Sequence, residues 1–227
     1  ANDYARDVTA VRSALTFNWD VADNLAFSGG AYGIWKELEH PIFQVIAQQS
    51  RNYGLFAKLD WEGEIGGLRA DAYAGVWGRQ GDLDSKFFVN VVGSRGALRS
   101  MSYQNARALD LFGEGRLFLT DQLAVIGGAT YGLAERDFDS RAVPGVATTF
   151  NLKADKTFDW IAPRLGLLWE APDGAQVFAN VTRSVEPPNF GALSPTGIGF
   201  APVQAQEALT YEIGARGRRG PFIWDVT

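Results

Sequence analysis

Cysteine is absent from the 227 residues, and histidine and methionine occur once each, as His40 and Met101. Without cysteine the chain can form no disulfide framework, no thiolate metal site and no thiol nucleophile. One histidine leaves little material for a Ser-His catalytic pair or a histidine-rich metal site. The composition therefore argues against an enzyme, and it indicates no resident cofactor or metal.

Several other patterns are missing. There is no G-x-x-x-x-G-K phosphate loop. The net charge is −5, the pI is about 5.0 and basic residues are scattered, so no basic field points to nucleic acid as a partner. No run of about 18 apolar residues predicts a transmembrane helix. The first residues lack the basic and apolar regions of a signal peptide.

The chain instead contains a repeated alternation of apolar and polar residues. In the segment from residue 53 to residue 62, one face carries Tyr53, Leu55, Ala57, Leu59 and Trp61. The same period recurs about ten times, with clear examples at Leu68–Arg79, Arg107–Thr120 and Leu209–Gly217. Side chains on a strand point alternately to its two faces, so each segment is predicted to be a β-strand with one apolar face.

The predicted connections alternate between short and long. The short ones are rich in turn-forming residues and lie at Asp20–Asn24, Glu62–Gly67, Thr120–Gln122, Ala171–Gly174 and Gly217–Pro221. The long ones are polar and are expected to be irregular loops at about Glu37–Asn52, Gln80–Asn105, Asp137–Thr157 and Glu186–Glu207. Short periplasmic turns and long extracellular loops are typical of an antiparallel transmembrane β-barrel.

Tryptophan positions favour the same architecture. Four tryptophans lie on the apolar face close to short turns: Trp19, Trp61, Trp169 and Trp224. Trp35 lies on that face near a long loop, whereas Trp77 and Trp160 have the parity of the opposite face. Aromatic belts at both membrane interfaces would explain the first five. A soluble β-sandwich binding module remains the alternative, because alternation alone is common to both folds.

The most specific signal lies in the last 51 residues. Val177–Leu193 reads V-F-A-N-V-T-R-S-V-E-P-P-N-F-G-A-L, and Gln206–Arg216 reads Q-E-A-L-T-Y-E-I-G-A-R. Together they resemble the late barrel region of TonB-dependent outer-membrane receptors, and Lys36–Ile46 is similar to siderophore-type members. Pro187 and Pro188 should end a strand, because proline cannot donate to the ladder. Phe190 and Leu193 are expected to anchor the base of the following loop.

The resemblance implies an all-β fold and a transport function. Residues 1–227 would be a barrel fragment with about 10 of about 22 strands, without the plug domain and the final strands. The implied ligand is a ferric siderophore or similar iron chelate, imported with energy from TonB, which would act through the missing N-terminal region. Outer-membrane lipid and lipopolysaccharide would surround the wall. A passive porin is the alternative within outer-membrane barrels, and a barrel hydrolase would have only His40 as a base.

Anionic ferric chelates favour arginine and aromatic side chains at the extracellular mouth. The candidate ligand-binding residues are Arg95, Arg99, Tyr103, Arg107, Arg136, Arg141 and His40. Solvated loop charge, or contact with lipopolysaccharide phosphates, is the alternative for each arginine, and a structural role is the alternative for His40. A second charged set is expected to face the plug or lumenal water, and comprises Lys58, Asp60, Arg69, Asp71, Glu114, Arg116, Glu212 and Arg216.

Overall fold

The computed structural model describes residues 4–195 and 198–227, which form one antiparallel sheet whose strand order follows the chain. The strands are β1 (Asp7–Ala22), β2 (Leu25–Pro41), β3 (Gln44–Ile65), β4 (Leu68–Val91), β5 (Ser94–Phe118), β6 (Leu123–Arg141), β7 (Leu152–Glu170), β8 (Gln176–Glu186), β9 (Gln206–Arg219) and β10 (Phe222–Val226). One short helix, α1 (Phe190–Leu193), follows β8. The sheet is open, with β1 and β10 at its edges. Within the described ranges, no helix is long and apolar enough to cross a membrane.

The apolar face of the sheet is exposed rather than packed against a second layer. Leu55 is 58% exposed and Leu165 is 61% exposed, although both lie near the middle of long strands. A β-sandwich would bury such residues between two sheets. The described residues form a single sheet, so the sandwich alternative is wrong, and the exposed apolar face is the outer wall of a barrel.

Along β6, outward-facing charge is confined to one end of the strand. Along the outer face of β6, apolar or small residues continue from Leu123 to Leu133, and Glu135 is the first outward charge. Arg107 lies directly opposite Glu135 on β5. The 11 residues from Leu123 to Leu133 match the roughly 9–11 that a tilted strand needs to cross the hydrocarbon region. We call this zone the apolar band, and the strand segments beyond it, at the end away from the short turns, the extensions.

The five short turns occur where the sequence predicts them. Gly66 and Gly67 join β3 to β4, and both have positive φ (63° and 81°), which glycine adopts readily. Trp61 and Trp169 lie in strands beside these turns, and Trp169 is 42% exposed on the outer face. A tryptophan belt at the turn end of the band agrees with this placement.

Two of the four predicted loops are instead strands. Glu37–Asn52 forms the ends of β2 and β3, joined at Ile42 and Phe43, and Gln80–Asn105 forms most of the β4–β5 hairpin. Outside the apolar band the outer face of a strand no longer needs apolar residues, so the pattern that marks the band ends while the backbone ladder continues. The other two connections are shorter than expected, because β6 ends at Arg141 and β7 begins at Leu152, while β8 ends at Glu186 and β9 begins at Gln206, with α1 between them.

Aromatic rings cover glycines on the inner face. The cross-strand partners are Tyr32 with Gly54, Phe56 with Gly30, Phe112 with Gly75, Trp160 with Gly132 and Phe178 with Gly214. In each pair a Cβ on the glycine would meet the facing ring. At Gly214 the Phe178 ring occupies the lumenal space beside the glycine. Trp160 has the inward parity that the sequence indicates.

Candidate ligand site at the lumenal mouth

Near the short turns, the inner face carries a network of paired charges around a concavity of about 490 Å³. Arg116 Nε lies 2.9 Å from Asp71 Oδ1, and Arg164 Nη1 lies 2.9 Å from Glu114 Oε2. Lys58 Nζ lies 2.7 Å from the Asp60 carboxylate. Because cations and carboxylates alternate and pair, this wall is close to neutral. It suits contact with another polar surface better than capture of an anion.

The remaining members of the predicted lumenal set complete this network. Arg69 pairs with Glu170 at 3.2 Å near the turns. Glu212 accepts a hydrogen bond from Asn180 at 2.7 Å, and Arg216 donates to the Gln176 side-chain oxygen at 2.8 Å. The eight residues therefore lie on the inner side of the wall, as the sequence indicates. Arg164 is an additional member that the sequence reading did not single out.

At the other end of the lumen the balance of charge becomes positive. Arg79, Arg136 and Lys156 project inward there, and we call them the mouth cluster. Arg79 pairs with Asp110 at 3.1 Å. Among the described residues, none forms an ion pair with Arg136 or Lys156. A cleft of about 220 Å³ beside Arg79 and Arg136 is also lined by Tyr32, Asn52 and Pro187.

Backbone carbonyl groups satisfy the two cations that lack carboxylates. Arg136 donates to the Glu135 carbonyl at 2.9 Å and to the Pro188 carbonyl at 3.3 Å. Lys156 Nζ donates to the Val203 carbonyl at 2.6 Å. Burial, and secondly the positive charge of Arg79, lowers the pKa of Arg136 from its usual value. The arrangement therefore holds partly desolvated positive charge without an anion beside it.

The connection between β8 and β9 packs on this end of the inner face. Phe200 lies 6.3 Å from both Phe138 of the wall and Phe190 of α1, centroid to centroid. Leu193 is fully buried, and Asn189 caps α1 by accepting from the Ala192 amide at 2.9 Å. The expectation that Phe190 and Leu193 anchor the base of this loop is therefore confirmed.

Of the seven candidate ligand residues, only Arg136 belongs to the mouth cluster. Arg107 and Tyr103 lie at outward positions, where Arg107 pairs with Glu135 at 3.5 Å and Tyr103 donates to Asp82 at 2.6 Å. Arg141 shares a concavity of about 360 Å³ with Tyr103 on this outer side.

The other three candidates lie in the β2–β3 and β4–β5 extensions. Arg95 forms an ion pair with Glu39 at 2.7 Å, and Arg99 is exposed near the hairpin tip. His40 Nδ1 lies 2.6 Å from the Ala5 carbonyl oxygen, a contact that joins β2 to the start of the chain. Ligand binding by the seven residues stays a prediction. Arg79 and Lys156 were missed because their proximity to Arg136 depends on strand register.

A polar cluster lies on the outer side of the extension, beyond the apolar band. Asp82 accepts hydrogen bonds from Tyr103 and from the buried Asn105 side chain. Partial burial raises the pKa of Asp82, but hydrogen bonds from Tyr103, Asn105 and Gln80 outweigh it, so that the pKa lies below its usual value. The same bond to Asp82 raises the pKa of Tyr103. Among the described residues, no group of three or more metal-ligating side chains could hold a metal ion.

A curved antiparallel wall with an apolar outer face, a polar lumen and long extensions at one end defines a transmembrane β-barrel. The family model described as "TonB dependent receptor-like, beta-barrel" matches residues 1–227, so the chain belongs to that family of transport receptors. The members of this family are transport receptors and not enzymes. No curated protein sequence matches the chain significantly.

Solved structures share the fold at low sequence identity. The closed form of the Ferric-Catecholate import receptor Fiu from K12 E. coli superposes with a TM-score of 0.74 at 15% identity, over 94% of this chain and 38% of that one. The ferric citrate transporter FecA gives 0.73 at 12% identity, over 95% and 33%. The copper transporter OprC gives 0.62 at 12% identity, over 94% and 37%. The chain therefore spans little more than a third of the length of these proteins.

Proposed function

We propose that the chain is part of the wall of a bacterial outer-membrane receptor that imports an anionic ferric chelate with energy from TonB. The mouth cluster is the observation that carries the choice of ligand. Two of its three cations lack a carboxylate partner, and they lie at the lumenal end that faces the cell exterior in this proposal. An anion there would gain charge-assisted hydrogen bonds in a partly desolvated cleft.

The polarity of each surface also indicates which other partner would contact it. A plug domain of the full-length chain would contact the paired charges of the lower lumen, because a polar surface can match alternating cations and carboxylates. TonB would act through the N-terminal region of the full receptor. Outer-membrane lipid would cover the apolar band, and lipopolysaccharide would contact the outward charges of the extensions.

The direct test is uptake by iron-starved cells that produce the full-length receptor as their one receptor for the chelate. Cells would receive radiolabelled ferric citrate or a ferric catecholate, with and without a protonophore that collapses the inner-membrane gradient. We expect saturable uptake that stops when the gradient collapses. Uptake that persists without the gradient would instead support a passive porin.

The mouth cluster is tested by Arg136→Met, which removes the charge and keeps the length of the side chain. A charged hydrogen bond contributes about 1.5–3 kcal/mol, so the apparent affinity for the anionic chelate should fall by roughly tenfold or more. Arg219→Met is the matched control, because Arg219 is exposed and ends β9 beside the short turn to β10, at the opposite end of the wall from the mouth cluster. Equal affinities of the two variants would contradict the assigned site.

A further inference from the structure

Both arms of the β8–β9 connection are held by one cross-strand pair of cations. Arg136 on β6 and Lys156 on β7 are direct partners in the ladder, so their side chains emerge next to each other on the inner face. Arg136 binds the carbonyl of Pro188 on the outgoing arm, and Lys156 binds the carbonyl of Val203 on the returning arm. No other adjacent pair of wall cations in the described ranges holds this connection at both ends.

These contacts are weak substitutes for an anion. A neutral carbonyl offers a cation only its dipole, whereas a carboxylate or phenolate oxygen offers a full negative charge and a hydrogen bond about twice as strong. The site is partly desolvated, which increases that difference. An incoming oxyanion would therefore compete with Pro188 and Val203 for the same two cations.

We propose that Arg136 and Lys156 form an anion-operated latch, in which a ligand carrying at least two oxyanion groups displaces the carbonyls of Pro188 and Val203 and releases the β8–β9 connection from the wall. This inference rests on the proposed function and specifies its ligand class. Two oxyanions on one molecule suit this pair of neighbouring cations, because one group can bind Arg136 while the other binds Lys156.

Release would open the lumenal cleft from the side of the loop. Pro187 lines the cleft beside Arg136, so movement of the outgoing arm widens the cleft at that point. The contacts of Phe200 with Phe138 and Phe190 would loosen at the same time, because they lie between the two arms and the wall. Binding of the ligand would therefore enlarge the cleft that the ligand occupies.

Amide hydrogen exchange on the full-length receptor in nanodiscs tests the latch, with metal-free citrate as the probe. Peptides covering residues 188–193 and 200–205 are followed at matched ionic strength in sodium citrate or sodium chloride. We expect citrate to accelerate exchange in both peptides by about tenfold, the effect of one lost charged hydrogen bond. Chloride, which carries one charge and cannot bridge the two cations, should leave exchange unchanged.

The double variant Arg136→Met/Lys156→Met should exchange rapidly in both peptides without citrate, and citrate should add nothing. Lys153→Met is the matched control, because Lys153 is on the same strand and its side chain is 87% exposed. Slow exchange in the double variant, or no response of the wild type to citrate, would overturn the latch. Uptake that needs the inner-membrane gradient would still support the receptor function, so the two proposals fail separately.

Discussion

At the scale of single residues, the inner face depends on glycines that lie beneath aromatic rings. A Cβ at Gly75 would lie 2.5 Å from Phe112 Cζ and 2.7 Å from the Ala57 carbonyl oxygen. A ring can rotate away, but the carbonyl belongs to the β3–β4 ladder and cannot. We therefore expect Gly75→Ala to destabilise the barrel by about 1–3 kcal/mol, the usual cost of overpacking.

Urea titration of the full-length receptor, followed by heat-modifiable gel migration, measures this cost. Gly78→Ala is the control on the same strand, because its Cβ would meet only Leu55 Cγ at 4.0 Å. Its midpoint should match the wild type. Equal midpoints for the two variants would show that the Gly75 site has room for a methyl group.

The Asp82 cluster gives the outer extension a pH dependence. Its folded-state pKa lies below the unfolded value of about 3.9, so its stabilisation is present above that value and is lost as the pH falls through the folded pKa. We expect Asp82→Asn to speed amide exchange around residues 80–84 and 103–106 at neutral pH. The difference from wild type should shrink as the pH falls through the folded-state pKa of Asp82, because its carboxyl group becomes neutral there.

Asp84→Asn is the control for this comparison, because the Asp84 side chain is 51% exposed and its ion-pair partner is Lys86, two residues along the same strand. It should have little effect at neutral or acidic pH. A difference between Asp82→Asn and wild type that persisted in acid would rule out ionisation as its cause.

The sequence predicts which face of the sheet each strand residue occupies, but it does not predict which residue lies opposite it on the neighbouring strand. Alternation alone places Lys58 inward and Leu59 outward, because a strand has only two faces. Arg136 lies opposite Lys156 because of the register between β6 and β7. A 10-residue irregular connection, residues 142–151, joins these strands, and its length does not determine how far one strand is shifted along the other. Arg107 and Tyr103 were chosen for residue type, and their outward parity was not weighed.

At the scale of elements, the β4–β5 hairpin ends in a strained turn. Val92 has φ 51° and Gly93 has φ 85°, so a β-branched residue occupies the left-handed region. That conformation costs an L-residue roughly 1–2 kcal/mol, and asparagine tolerates it better. We expect Val92→Asn to stabilise the hairpin and to slow amide exchange near the turn by about fivefold.

Val91→Asn is the matched control, because Val91 is exposed, precedes the turn and keeps strand geometry. Val91→Asn should not slow amide exchange near the turn, and it should destabilise the strand slightly, since asparagine is disfavoured in strands. Faster exchange in Val92→Asn would mean that contacts of the Val92 side chain outweigh the backbone strain.

The extensions also explain where the prediction of elements failed. Strands within the apolar band were recognisable because lipid and lumen impose different residue types on their two faces. Beyond the band, β4 carries the polar residues Asp82, Asp84 and Lys86 on its outer face, where the apolar pattern ends, and the ladder with β3 and β5 identifies it as a strand. Proline marked the end of β8 at Glu186, which the sequence located well.

At the scale of the whole molecule, charge is arranged along the lumen. Paired ions occupy the end near the short turns, whereas two of the three cations in the mouth cluster have no ion-pair partner among the described residues. The sequence predicted the barrel class, the inward charged set and the family, because each follows from composition along a strand or from a local motif. It could not predict the mouth cluster, which is assembled from β4, β6 and β7.

The central claim is that the wall crosses the outer membrane with its extensions outside, and thiol accessibility tests it most directly. The segment has no cysteine, so single substitutions in a cysteine-free full-length receptor report one position each. With an impermeant maleimide, Val92→Cys should react in intact cells, Asp173→Cys only after the outer membrane is permeabilised, and Leu165→Cys only after denaturation. Reaction of Asp173→Cys in intact cells, or of Leu165→Cys in folded receptor, would contradict the account.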